Sequence, residues 1–172
     1  MKKTISFTLL FFVCISCIEP KNGDKNRTEI DNLLDQWHKD AAETNFQKYF
    51  DVIADDGIFI GTDATENWNK KEFMAFSKPY FDKGKAWNFT SLERNVFFST
   101  DGKTAWFDEL LNTQMKLCRG SGVLVNQNGQ WKIKHYVLSM TIPNEKSNET
   151  ISLKSSIEET IIQKKIENKK SE

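Results

Sequence analysis

Three residues of the 172-residue chain, His135, Asp108 and Arg119, are of types that move a proton or hold an anion, and each sits in a run that alternates like a strand. Within residues 129–139, Trp131, Ile133, His135 and Val137 share one parity, and Lys132 and Lys134 take the other. Side chains of a strand point to alternate faces, so this pattern predicts an inward face carrying a histidine among apolar residues. Such a histidine is either a general base that exchanges protons near neutral pH or a core residue held by hydrogen bonds.

The base needs a partner, and the run 104–114 offers two. Trp106, Asp108, Leu110 and Asn112 share a parity, as do Phe107, Glu109, Leu111 and Thr113, and both sets mix apolar with polar, so the pattern leaves the inward carboxylate open. Asp108 is the choice, because a wide aromatic, Trp106, followed by short polar groups suits a cavity wall. The other, mostly apolar, set suits a convex surface covered by a second subunit, which makes a homodimer an expected partner.

Arg119 alternates with Ser121 and Val123 and can enter the same space, where its fork of donors holds a carboxylate ligand or pairs with Asp108. The polar loop 61–68 contributes Asp63, Glu66 and Trp68 at the expected mouth. Asp63 and Trp68 are candidate ligand contacts there, although a capped turn with one packed tryptophan explains them without a ligand. Trp37 and Tyr49, on the apolar stripes of two expected helices, complete the candidate lining.

Other chemistries find little footing. Lys and Arg number 24 against 24 Asp and Glu, so no basic excess exists to neutralise phosphates and no nucleic-acid partner is expected. No His and carboxylate spacing matches a metal motif, no glycine-rich loop follows a strand, and no cofactor is implied. Cys118 has no basic neighbours or helix start to lower its pKa, and His38, next to Trp37, is expected on the solvent side of its helix.

The elements that position these residues follow from periodicity. Ile30, Leu33, Leu34, Trp37 and Ala41 form one apolar stripe of a helix starting near Thr28. Asn45 can cap a short second helix with Phe46, Tyr49, Phe50 and Ile53 on one side. Ile58–Phe59–Ile60 is a short strand. Asn69 can cap a third helix with Phe73, Phe76 and Tyr80 on one face, kinked or shortened by Pro79 and ended by Gly84. Residues 86–99 and 104–114 are joined by Asp101-Gly102, and 118–127 and 130–142 by Asn128-Gly129, two hairpin signals. Helices first and long antiparallel strands afterwards make an α+β domain with a meander-type sheet.

The two ends differ in composition from this domain. Lys2 and Lys3 precede an apolar run over residues 5–15, the layout of an export signal and about half the ~20 residues a spanning helix needs. Cys14-Ile15-Ser16-Cys17 resembles a bacterial lipoprotein signal, with Cys14 where that family has leucine. The resemblance implies lipid attachment at Cys17 and a lipid-anchored protein of the bacterial cell envelope, bound to a membrane through its N-terminus. A plain cleaved signal, giving a secreted or periplasmic protein, is the alternative. The expected organisation is therefore signal 1–17, linker 18–27, domain 28–142 and a charged tail 143–172. In that tail Leu153, Ile157 and Ile161 allow a marginal helix, and the wealth of charge equally allows a solvated tail.

The element order of the domain resembles the nuclear transport factor 2-like superfamily, in its SnoaL-like branch. The carrying residues are Gly61-Thr62-Asp63-Ala64-Thr65-Glu66-Asn67-Trp68, Lys78-Pro79-Tyr80-Phe81, Thr104-Ala105-Trp106-Phe107-Asp108-Glu109, Cys118-Arg119-Gly120-Ser121-Gly122 and Trp131-Lys132-Ile133-Lys134-His135-Tyr136. The resemblance implies a cone-shaped α+β barrel, three N-terminal helices packed on a strongly curved, mostly antiparallel sheet. It implies no single reaction, since that superfamily holds isomerases, cyclases, dehydratases and members without known chemistry. The expected function is binding of a small apolar or aromatic ligand in the cone. The alternative is an isomerase, cyclase or dehydratase with Asp108 or His135 as general base.

Overall fold

A computed structural model describes residues 22–171. The expected signal, with its apolar run, and Cys17, the expected site of lipid attachment, lie outside the described residues.

Helix α1 (Asn22–Ala42) lays Ile30, Leu34, Trp37 and Ala41 against the sheet, all buried, with Leu33 packed beside them. The buried face is wider than one stripe, because His38 and Asp40 are also buried, at 3% exposure each. Helix α2 (Phe46–Asp51) turns Tyr49 and Phe50 inward. Asn45 occupies its N-cap position without a capping bond, since its amide donates to Asp40 Oδ1 (3.1 Å) and Glu43 Oε2 (3.1 Å) instead. Strand β1 (Ile53–Ile60) follows at once, so Ile53 starts a strand rather than ending a helix.

Strand β2 (Asn67–Asn69) leads into helix α3 (Lys70–Asp82) through a capping box. Asn69 Oδ1 accepts from Glu72 N (3.0 Å), and Glu72 Oε2 accepts from Asn69 N (2.9 Å), satisfying two otherwise orphaned donors. Pro79 lies inside α3 and does not stop it. It lacks the N–H for one helical bond, and the turns on either side continue to Asp82, after which Gly84 takes φ +65°.

Strands β3 (Phe89–Phe98), β4 (Thr104–Thr113), β5 (Lys116–Gln127) and β6 (Gln130–Met140) complete a single curved sheet of order β2-β1-β6-β5-β4-β3. β1 runs parallel to β6 and the other neighbours are antiparallel. The sheet is unclosed, and α1 lies across its concave side to complete the cone.

One irregularity decides which side chains enter that cone. Leu124 pairs with Ile133 and Val123 with His135, so β6 carries one extra residue, Lys134, at a β-bulge. Before the bulge Trp131 and Ile133 point in; after it Tyr136 and Leu138 do, all four buried. His135 and Val137 are thereby turned to the convex face, the reverse of what uninterrupted alternation predicts.

Beyond β6, a 3₁₀ turn at Asn144–Lys146 leads into α4 (Ser147–Ser171), a helix with no buried residue. Ile151, Leu153, Ile157, Ile162 and Ile166 are exposed along it. Among the described residues no helix is long and apolar enough to cross a membrane.

Candidate functional site

The concave side of β4 presents Ala105, Phe107, Glu109, Leu111 and Thr113, so the carboxylate inside the cone is Glu109, fully buried. Four donors converge on it. His38 Nε2 (2.9 Å) and Tyr136 Oη (3.0 Å) reach Oε1, while Arg94 Nε (3.0 Å) and Nη2 (2.9 Å) hold Oε2 in a two-pronged contact. With an ionised Glu109 as acceptor, His38 Nε2 must carry the proton. Arg94 continues to the Asp31 carbonyl (3.2 Å) and to Asp35 Oδ1 (2.9 Å), joining α1 to the sheet.

Burial works against ionising Glu109, but the hydrogen bond from His38 and the charge of Arg94 outweigh it and hold the carboxyl below its usual range. Burial also pushes the Tyr136 hydroxyl well above its ordinary value, and the Glu109 charge adds to the shift. A phenol so placed stays protonated and donates. Gly120 makes room for this cluster: a Cβ there would lie 2.3 Å from Tyr136 Oη and 2.9 Å from Glu109 Cγ. Glu109 is saturated with donors and cross-braced at the centre of the cluster, which is the geometry of a structural network.

Open space lies at the mouth of the cone instead. A cavity of about 100 Å³ is bounded by Phe59, Trp68, Phe73, Phe76, Trp87 and Phe89, with Met115 and Leu138 behind and Thr62, Glu66 and Gln114 at the rim. Phe59 stacks on Phe73 at 3.9 Å, and Trp68 stacks on Phe76 at 4.3 Å, so the rings brace one another. Trp87 Nε1 donates to Tyr49 Oη (3.2 Å), which fixes its indole at the pocket wall. Loop 61–66 closes through Gly61 N to Glu66 O (3.0 Å) and Glu66 N to Asp63 O (3.0 Å).

The predicted site residues divide sharply against this geometry. Trp68 lines the pocket. Asp63 sits in the adjoining loop, exposed, with Oδ1 accepting from Thr65 N (2.8 Å) and Oγ1 (2.6 Å), bonds that hold its carboxyl below the usual range. Trp37 and Tyr49 are buried and stacked on each other at 5.1 Å, deeper than the cavity, where Tyr49 serves by positioning Trp87.

Asp108, Trp106, Arg119 and His135 need correction, because all four stand on the convex face. Asp108 accepts from Asn95 Nδ2 (3.1 Å) there, and Trp106 is 46% exposed and stacked with Phe97 at 6.0 Å. Arg119 is exposed opposite Leu110 and Ser139. His135 lies between Val123 and Ile58 in register, turned outward by the bulge. His38, expected in solvent, is buried on Glu109. Among the described residues no group of three or more His, Cys, Asp or Glu is placed to hold a metal ion.

Comparison with solved structures places this architecture in the NTF2-like class. An NTF2-like protein of unknown function from Pseudomonas putida superposes with a TM-score of 0.61 at 17% identity, covering 71% of this chain and 91% of that one. A protein from Streptomyces avermitilis, provisionally named a dehydratase of the NTF2-like family, gives 0.60 at 13% identity over 71% and 100%. The association domain of C. elegans CaMKII gives 0.56 at 17% identity over 68% and 97%. At these identities the likeness concerns the fold. The sequence matches the SnoaL-like domain model over residues 30–143, and the chain belongs to that family. No curated protein matches the chain.

Proposed function

We propose that the domain binds a small, largely apolar molecule in the aromatic pocket at the cone mouth. The observation that carries this is the position of the open space: the cone interior is filled by Tyr136, Phe107, Trp37 and the Glu109 network, whereas the mouth retains a cavity walled by rings. The fold is one whose members include ligand binders and enzymes, and the geometry favours binding here. The candidate bases Asp108 and His135 face away from the cavity, and Glu109 has its acceptor capacity taken up by His38, Tyr136 and Arg94. A pocket ringed by Trp68 and Trp87 reports on its own occupancy, so titration of the full chain with small aromatic and aliphatic compounds, followed by tryptophan fluorescence, tests the reading. Binding abolished by Trp68→Ala supports it, and binding indifferent to Trp68 and Trp87 removes it.

On the same reading the N-terminal signal exports the chain and lipid on Cys17 ties it to a membrane, which puts the pocket in the envelope. Cys17→Ser should then yield a soluble or unprocessed precursor, and unchanged membrane retention would refute the anchor. The convex face suits a second copy of the chain, because Phe97 and Trp106 stand exposed and stacked beside Val123, Val137 and Ile58. Trp106→Glu, compared with the native chain by sedimentation equilibrium, separates a dimer from a monomer.

A further inference from the structure

We infer that the ligand of the mouth pocket is a small organic cation, of the quaternary or highly alkylated ammonium class. This rests on the reading of the mouth as a binding site and specifies what it takes.

The walls and the charge of the pocket point the same way. Aromatic faces carry the negative lobes of the ring quadrupole, and Trp68, Phe76 and Trp87 present partly exposed rings to the cavity. Among the lining residues the single ionisable side chain is Glu66; no Lys, Arg or His borders the space. A carboxylate beside an apolar cavity disfavours an anionic or wholly neutral guest, because its desolvation would go uncompensated. A cation compensates it, and the ring faces add to the attraction.

Glu66 is held where it can do this. Oε2 accepts from Asp63 N (3.1 Å), which orients the carboxylate and leaves Oε1 available. Gly61 permits the placement, since a Cβ there would fall 2.2 Å from Oε2. Among the described ion pairs Glu66 takes part in none, whereas Asp55, Asp56, Asp82 and Glu109 each have a basic partner within 4 Å. A loop-braced carboxylate at the rim of an aromatic pocket, outside the described ion pairs, supplies the counter-charge for such a cation. The second negative charge of the loop, Asp63, deepens the potential at the entrance.

Size narrows the class. A cavity of about 100 Å³ is smaller than one of roughly 150 Å³ that takes benzene. It therefore takes only the head of a guest, a group no larger than a trimethylammonium, with any remaining chain leaving through the mouth past Phe76, 38% exposed, and Tyr80, 47% exposed.

The test uses the full chain and three probes: choline, tetramethylammonium, and 3,3-dimethylbutan-1-ol, the uncharged carbon counterpart of choline. Calorimetric titration is expected to show choline binding about tenfold or more tightly than the alcohol, a difference within the range of a desolvated cation–π contact plus one carboxylate. Glu66→Gln keeps the acceptor for Asp63 N and removes only the charge, so it should erase most of that preference, weakening choline while the alcohol binds as tightly as before or more tightly. Trp68→Leu keeps an apolar wall without the π face and should weaken both ammonium probes more than the alcohol.

Equal binding of choline and the alcohol in the native chain overturns the cation inference and leaves the pocket reading standing. Absence of binding by all three probes, with aromatic hydrocarbons also failing, removes both. A choline preference that survives Glu66→Gln and Trp68→Leu places the cation elsewhere and overturns the assignment.

Discussion

Two glutamates, both in polar company and both near aromatic rings, show how differently one side chain is used at the two depths of this cone. Glu109 is fully buried, and its oxygens are occupied by His38, Tyr136 and Arg94, so it links α1 to β3, β4 and β6 and has nothing left for a ligand. Glu66 is half-buried, braced by one backbone bond and unpaired with any base among the described ion pairs. Burial with full satisfaction marks a structural carboxylate; partial burial with spare acceptor capacity beside a cavity marks a recognition carboxylate. On the proposed reading of the pocket, the contrast gives stability to the deep end and specificity to the mouth.

The strongest way to break that contrast is to remove Glu109. Glu109→Ala leaves His38 and Tyr136 without this acceptor and Arg94 with only its contacts to Asp31 and Asp35 on α1, and loss of one partner from a buried ion pair costs about 3–5 kcal/mol. Urea denaturation should show that loss or outright failure to fold. A cost below about 1 kcal/mol would mean that the network is dispensable and that Glu109 is kept for chemistry.

Steric intrusion into the same network should cost less. Gly120→Ala puts a Cβ within 2.3 Å of Tyr136 Oη and 2.9 Å of Glu109 Oε1, so the cluster must shift, with an expected cost of about 1–3 kcal/mol. Choline or aromatic-ligand affinity should stay within about twofold of native, since the mouth lies apart from β5 at this point.

Acid sharpens the comparison once the native chain is set against a Glu109→Gln variant. Its folded pKa lies below the unfolded value of about 4.3, so the stability it contributes is complete above that value and is lost as the pH falls through the lower folded pKa. The exposed Asp56, Asp63 and Asp101 also titrate low in the folded chain and remain in a Glu109→Gln variant. The difference between the two stability profiles below pH 4.3 therefore isolates Glu109. Native and variant profiles that run parallel there would show that Glu109 is not ionised in the fold.

What could be read in advance, and what could not, follows from how local each signal is. The cap at Asn69, the Asp101-Gly102 and Asn128-Gly129 turns, and the stripe Ile30, Leu34, Trp37 and Ala41 are set by residues a few positions apart, and the structure has them all. The facing of β6 was not local. Lys134 looks like an ordinary outward lysine, and nothing in residues 129–139 announces that it is the extra residue of a bulge fixed by pairing with β5. For β4 the needed signal was present, since Glu109 lies between Phe107 and Leu111, and the more apolar parity set is the buried one. His38 was legible in the same way, four residues after Leu34 and eight after Ile30. Arg94 entering from β3 depends on a further register shift between Ser91 and Glu93, which no spacing reveals.

The smallest expected effect is on the convex face, where the predicted bases stand. The Asp108 side chain accepts from Asn95 across an exposed strand pair, and His135 lies among Val123 and Ile58 in register on the side away from the cavity. Asp108→Asn keeps the side chain's size and an oxygen acceptor, and His135→Gln keeps its polarity, so each should change stability by no more than about 0.5 kcal/mol. Neither touches the mouth, so ligand affinity measured by calorimetry should be unchanged within error, with Glu66→Gln in the same series as the positive control. If His135→Gln lowers affinity while Glu66→Gln does not, the site lies on the outer face and the division of labour between Glu109 and Glu66 fails. If His135→Gln instead alters sedimentation along with Trp106→Glu, its half-buried ring belongs to the surface on which two copies meet.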